Sequence, residues 1–183
     1  MTKIYDCGPS ITEEDLKRVE TSLQVALPTE YRRLLLSTNG GLVSPDAFTC
    51  NDGDEESIAW LYSIWPGDDN DILVRASVRE GRLPKNFIAI GTDGGGNEIC
   101  IACDSGPDYG KLYFWDHEME ADESQGMTPE TAGNVHLIAD SVTEFLASLY
   151  EIPVDDTKSG AECFTPEGQE GLFEEMMQEK GPL

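Results

Sequence analysis

Three short segments set most of what this chain can become. Phe87-Ile88-Ala89-Ile90, Ile99-Cys100-Ile101-Ala102-Cys103 and Lys111-Leu112-Tyr113-Phe114-Trp115 follow one another with only turn-forming residues between them. Each is too short for a helix of its own and carries almost no polar positions, so each predicts a strand buried in a core. The connections Gly91 to Glu98 and Asp104 to Gly110 are of hairpin length and rich in Gly and Asp. Strands joined in that way pair with their sequence neighbours, which gives an antiparallel meander.

Helix signals lie on both sides of the meander. Ser10 or Thr12 can cap a helix whose first turn, Glu13-Glu14-Asp15, is acidic, with Leu16, Val19 and Leu23 on one face; it is expected to end near Leu27. Pro28 suits the first position of a second helix with Tyr31, Leu34 and Leu35 as its stripe, stopped by Asn39-Gly40-Gly41. Together they predict an αα-hairpin. Ser141, with Glu144 three residues on, reads as a capping box for a last helix whose apolar face is Val142, Phe145, Leu146 and Leu149. Strands in the middle and helices at the ends define an α+β fold: an N-terminal αα-hairpin, a central antiparallel β-meander and a C-terminal helix packed on the sheet.

The remaining intervals are less regular. Between Ser44 and Asp71 one strand is expected, Ile58 to Ile64, flanked by acids and with no Lys or Arg in the whole interval. Ile72 to Gly81 reads as a short helix carrying Arg75 and Arg79, with Arg82 and Lys85 just beyond it. This cationic stretch beside an acidic loop is compatible with internal charge pairing. Glu118 to Asn134 is polar and expected to be loop. The domain is expected to span residues 1–150, leaving residues 151–183 as an acidic extension with nine acids, two lysines and the apolar anchors Phe164, Leu172, Phe173, Met176 and Met177. For that extension a disordered tail and a docked helix both stay open.

Charge narrows the function classes. The chain of 183 residues has 12 Lys+Arg against 36 Asp+Glu, a formal net charge of −24, where a small soluble domain carries a magnitude of roughly 2–8. Spread over the roughly 8,700 Å² expected for this mass, that is about one net negative charge per ~360 Å². Proteins that hold nucleic-acid phosphates or anionic membranes do so with clustered Lys and Arg, so neither is an expected partner. A basic protein is the natural complement, although the same excess also keeps a protein soluble. The start, Met1 to Pro9, has no apolar stretch of signal-peptide length, and a cytoplasmic location is expected.

No motif for catalysis or cofactor binding is complete. The five cysteines include Cys100-Ile101-Ala102-Cys103, a C-x-x-C spacing, yet on a strand these two point to opposite faces and no second half-site exists. Buried structural thiols are expected. The Gly91 to Gly96 loop is followed by a strand where a phosphate-binding loop needs a helix, and it lacks the calcium-loop spacing D-x-[DN]-x-[DN]-G. Asp116-His117-Glu118, with His136 as a distant fourth member, is the most chemically suggestive group and supports a metal-assisted hydrolase as an alternative. Against it, Ala121 stands where H-E-x-x-H needs its second histidine.

Three stretches together resemble the SUKH superfamily, specifically its cell-wall assembly (glucan synthesis) regulator-like branch. They are Ile11 to Leu16 with Leu27-Pro28-Thr29-Glu30-Tyr31-Arg32-Arg33-Leu34-Leu35 and Asn39-Gly40-Gly41; Leu83 to Gly91 continuing through Asn97 to Ile101; and Gly110 to Glu118. The resemblance extends over roughly residues 8–150. It implies an α+β fold and a binding role, since many bacterial members resemble immunity proteins that neutralise polymorphic toxins, often nucleases, while fungal relatives are linked to cell-wall synthesis. It carries over no catalytic residue, cofactor or metal site. The leading expectation is therefore a non-enzymatic module that binds a basic, toxin-like protein, with a regulatory scaffold as the alternative binding role. Asp52, Asp54, Glu55, Glu56, Asp68, Asp69 and Asp71 are the expected contact residues.

Overall fold

Thr12 starts the first helix as its chemistry requires. In the computed structural model, which describes residues 2–50 and 53–153, strand β1 (Lys3–Tyr5) precedes helix α1 (Glu13–Leu23). The Thr12 hydroxyl accepts from the Asp15 N–H at 3.3 Å while the Asp15 carboxylate accepts from the Thr12 N–H at 2.9 Å, a complete capping box. Leu16 and Val19 are wholly buried. The helix ends earlier than expected, because Gln24 turns left-handed (φ 56°). Leu27, still buried, then donates its N–H to the Glu20 carboxylate instead of to a helical carbonyl.

Helix α2 (Thr29–Thr38) has Pro28 as its N-cap, one position outside the helix, and Asn39 as its left-handed stop (φ 50°). Asn39 is buried and does more than end a helix. Its side chain accepts from the Ile64 N–H and donates to Pro9 O and Ile64 O, tying three chain segments together. Arg32 of α2 pairs with Glu13 and Glu20 of α1.

The glycines after Asn39 begin a strand at once. Strand β2 (Gly41–Ser44) is followed by β3 (Ala47–Thr49), β4 (Glu55–Ser57) and β5 (Trp60–Leu61); helix α3 (Ile72–Val78) leads to β6 (Phe87–Thr92), β7 (Glu98–Ala102), β8 (Leu112–Trp115), β9 (Val135–Ala139) and helix α4 (Val142–Ser148). Seven strands form one antiparallel sheet in the order β1-β2-β5-β6-β7-β8-β9, and β3 pairs with β4 in a separate hairpin. Gly41 sits where β1 crosses closest: a Cβ there would lie 2.3 Å from Tyr5 O.

The expected meander is thus the centre of a wider sheet, with β9 added directly after the segment Glu118 to Asn134 that read as loop. The strand expected over Ile58 to Ile64 reduces to Trp60–Leu61, flanked by Ala59 N–H to Thr92 O and Tyr62 N–H to Ile90 O bonds. Glu144 departs from the capping box: Ser141 accepts from its N–H, but its carboxylate accepts from Asp140.

Strand alternation sorts the sheet into two faces. Ile99 and Phe114 are paired across β7 and β8, as are Ile101 and Leu112. On their face Phe48 meets Phe114 and Phe145 edge-on, with ring centroids 5.8 and 5.3 Å apart, so the β3–β4 hairpin and α4 close this side. Glu98 pairs with Trp115 and Cys100 with Tyr113 on the opposite face, which α3 covers. Cys50, Cys100 and Cys103 are buried, and burial pushes the Cys103 thiol up to about 12. Among the described residues no helix is long and apolar enough to cross a membrane. The acidic extension from residue 154 onward, including Phe164, Leu172, Phe173, Met176 and Met177, lies outside the described residues, as does Asp52.

Candidate functional site

The arginines determine what the surface can present. Arg79 is turned inward beneath α3. Its Nε donates to Glu98 Oε1 at 2.6 Å and its Nη2 to Gly96 O at 3.0 Å, while its guanidinium lies 5.2 Å from the centre of the Trp115 ring. Arg82 stacks over the same ring at 5.4 Å and forks onto the Glu120 carboxylate. Arg75 lies over Tyr62 at 5.4 Å. Glu98 is fully buried, so desolvation raises its pKa, opposed by hydrogen bonds from Tyr62 and Arg79. Within the cationic stretch Arg79 and Arg82 are paired internally, with Glu98 and Glu120, and Arg75 meets the acidic loop through its Nη2, which donates to Asn70 Oδ1. Arg18, Arg32 and Lys111 are held by Asp15, by Glu13 with Glu20, and by Asp108.

The seven acids singled out in the sequence have different fates. Asp54, Glu55 and Asp69 are exposed, and Glu56 and Asp68 are half-buried. Glu55 accepts from the Tyr150 hydroxyl at 2.8 Å, and Asp68 accepts from the Asn70 N–H at 2.7 Å. Asp71 requires correction. It is 3% exposed, and its carboxylate caps α3 by accepting from Leu73 and Val74 N–H and also from Trp65 N–H. A carboxylate occupied by three backbone donors in the interior is withdrawn from any contact surface.

Two of these acids enter a groove with residues that the sequence left apart. Past the paired residues Trp115 and Val135, Asp116 N–H donates to Asn134 O at 2.9 Å, and Asn134 Nδ2 donates to Asp116 O at 2.7 Å. That exchange holds the end of the β8–β9 ladder together. His136 pairs with Phe114 in the register, on the face covered by the β3–β4 hairpin. Asp54, Glu56, Asp116, Met119, Asn134 and His136 consequently line one groove of about 240 Å³. Asp68 and Asp69, in the connection from β5 to α3, are not among its walls.

The other chemical candidates resolve locally. Asp93 Oδ1 accepts from the N–H groups of Gly95, Gly96 and Asn97 at 2.7–3.0 Å, so the donors that a phosphate would need are already occupied. Asn97 Nδ2 donates to Asp93 Oδ2, which directs its Oδ1 toward His117, where both the backbone N–H and Nδ1 meet it. The His117 ring packs on Gly96, where a Cβ would lie 3.1 Å from it. Asp116 Oδ1 accepts from the Glu118 N–H, capping a short 3₁₀ turn over His117–Met119. Asp116, His117 and Glu118 therefore diverge. Among the described residues no three His, Cys, Asp or Glu side chains gather as a metal site needs.

Comparison with known proteins adds two findings. The profile of the SMI1 / KNR4 family (SUKH-1) matches residues 10–148, from just before α1 to the end of α4. The SPbeta prophage-derived uncharacterized protein YokK of Bacillus subtilis (strain 168) is 28% identical over 168 residues, covering 82% of this chain and 81% of that protein.

Proposed function

This chain belongs to the SMI1 / KNR4 family (SUKH-1), and from that premise we propose that it is a non-enzymatic module which occupies the cationic surface of a protein partner. The partner class that fits best is a nuclease-like toxin, whose phosphate-holding surface must be basic, and the chain then acts as its immunity protein in the cytoplasm. One observation carries the reading: Arg75, Arg79 and Arg82 are stacked inward on Tyr62 and Trp115, whereas Asp54, Glu55 and Asp69 are exposed. Cations held half-buried against aromatic rings and carboxylates leave much of the outer field to the carboxylates. Such a field speeds encounter with a basic surface and suppresses encounter with phosphate.

The test is co-expression with the product of the neighbouring reading frame, followed by affinity purification and assay of that product's toxicity. A stable complex that abolishes toxicity is expected. Absence of a complex, with toxicity undiminished, contradicts the reading.

A further inference from the structure

We propose that the basic partner docks on the outer surface of the β5–α3 connection and of α3, with Trp65 as the anchor that a cationic side chain of the partner covers. The proposal rests on the acidic-surface reading above and adds the place and the chemistry of contact. Trp65 is 46% exposed, and Val74 and Val78, four residues apart on one side of α3, are 44% and 53% exposed. The hydrophobic core takes Ile72 and Leu73 from the same segment and none of these three. A lone surface valine needs no explanation, but a tryptophan and a valine pair brought to one place do.

The backbone brings them there. The buried Asp71 carboxylate accepts from Trp65 N–H through Oδ2 at 2.8 Å and from Val74 N–H through Oδ1 at 3.3 Å, so two of the exposed side chains start from residues bonded to one group. The connection is also closed independently of that carboxylate. Ile72 N–H donates to Ser63 O at 2.8 Å, Ser63 N–H to Asn70 O at 3.0 Å, and Asp68 N–H to Trp65 O at 3.0 Å. Just before Trp65, the Asn39 amide holds Ile64 through both its N–H and its O. Trp65 is therefore presented to water on a backbone already fixed, which lowers the ordering cost of a contact and suits the central residue of an interface. The turn is open, since a Cβ at Gly67 would meet nothing within 4 Å.

Charge selects the occupant. From Trp65 to Val74 every charged residue is an aspartate: Asp71 is committed inside, Asp69 is exposed and Asp68 is half-buried. Arg75, the next residue, lies over the Tyr62 ring. Glu80, two residues past the end of α3, is exposed. An indole face is the side-chain ring that attracts a cation most strongly, and neighbouring carboxylates add to the same preference. The surface thus fits arginine or lysine set among apolar side chains on a basic protein. A second copy of this chain, at a net charge of −24, is repelled.

The experiment has two arms on the full chain. In the first, the indole N–H resonances of Trp65 and the buried Trp115 are followed during titration with the peptide Nα-acetyl-Arg-Leu-Leu-Arg amide and with its counterpart carrying Glu in place of Arg. The basic peptide is expected to shift Trp65 and leave Trp115 in place, and the acidic one to shift neither. In the second, affinity for the protein encoded by the neighbouring reading frame is measured. Trp65→Ala is expected to weaken it about thirtyfold and Val78→Ser about fivefold, through faster dissociation and with unchanged thermal melts. Tyr109→Ala, an exposed aromatic elsewhere, leaves it unchanged. An unmoved Trp65 resonance, or equal shifts from both peptides, overturns the proposal. If the neighbouring protein binds the parent chain and both surface variants within twofold, the docking surface fails while the acidic-surface reading stands. If the basic peptide shifts Trp65 but the neighbouring protein does not bind the parent chain, the surface stands and that reading fails.

Discussion

Arg79 and Glu98 form the ion pair on which the covered face of the sheet depends. Nε and Oε1 are 2.6 Å apart, the carboxylate is fully buried, and Tyr62 donates to its second oxygen at 2.6 Å. Removing one partner of such a pair strands a charge in the interior. Arg79→Met is expected to cost about 3–5 kcal/mol in urea unfolding, and adding Glu98→Leu to recover much of it. The single variant also carries a pH signature. Glu98 already has a raised pKa and rises further without Arg79, so the folded state holds that proton more tightly than the unfolded one. The variant should therefore gain stability relative to the parent chain as pH falls through the ordinary glutamate range. An unchanged difference between pH 7 and pH 5 contradicts the assignment.

Asp71 separates folding from recognition. Asp71→Ala leaves three backbone donors without their carboxylate at the start of α3, with an expected cost of about 2–4 kcal/mol. Asp69→Asn, at an exposed position, should change stability by less than about 0.5 kcal/mol. Thermal melts and partner binding measured on both variants should move in opposite order: the first loses stability and retains affinity once folded, and the second does the converse.

The contrast between these acids shows how far the sequence could be read. The apolar runs of β6, β7 and β8 and the Thr12 cap were legible because their determinants are local. Asp71 was misread: it stands directly before the apolar run Ile72-Leu73-Val74, the position of an N-cap, but its place in an acidic interval suggested surface. The β3–β4 hairpin was not legible. Its strands are three residues each and are held by Phe48 packing on Phe114 and Phe145, far away in sequence. β9 escaped because Val135-His136-Leu137-Ile138-Ala139 is mostly half-buried and follows a long polar segment. The groove joins β4, β8 and the start of β9, so no local pattern announces it.

Cys103 gives an alkaline prediction. Burial pushes its thiol up to about 12, while an unfolded thiol ionises near 8.5. Below the unfolded value both states are neutral and nothing is lost. As pH rises beyond it only the unfolded chain ionises, so stability falls by about 1.4 kcal/mol per pH unit for this thiol. Cys103→Ala should flatten the decline in urea midpoint between pH 9 and pH 11. In the Cys163→Ser background, alkylation of the native protein at pH 8 should label Cys7, which is exposed, and reach Cys50, Cys100 and Cys103 only after denaturation. Labelling of Cys100 or Cys103 in the native state would falsify their placement in the core.

The most direct test of the central claim is the association rate of the purified chain with the protein encoded beside it, measured as a function of ionic strength. Steering by an acidic surface predicts a rate that falls at least about tenfold as salt rises from roughly 20 mM to roughly 500 mM, with the dissociation rate changing far less. An association rate that does not respond to salt would show that the carboxylates take no part in finding the partner.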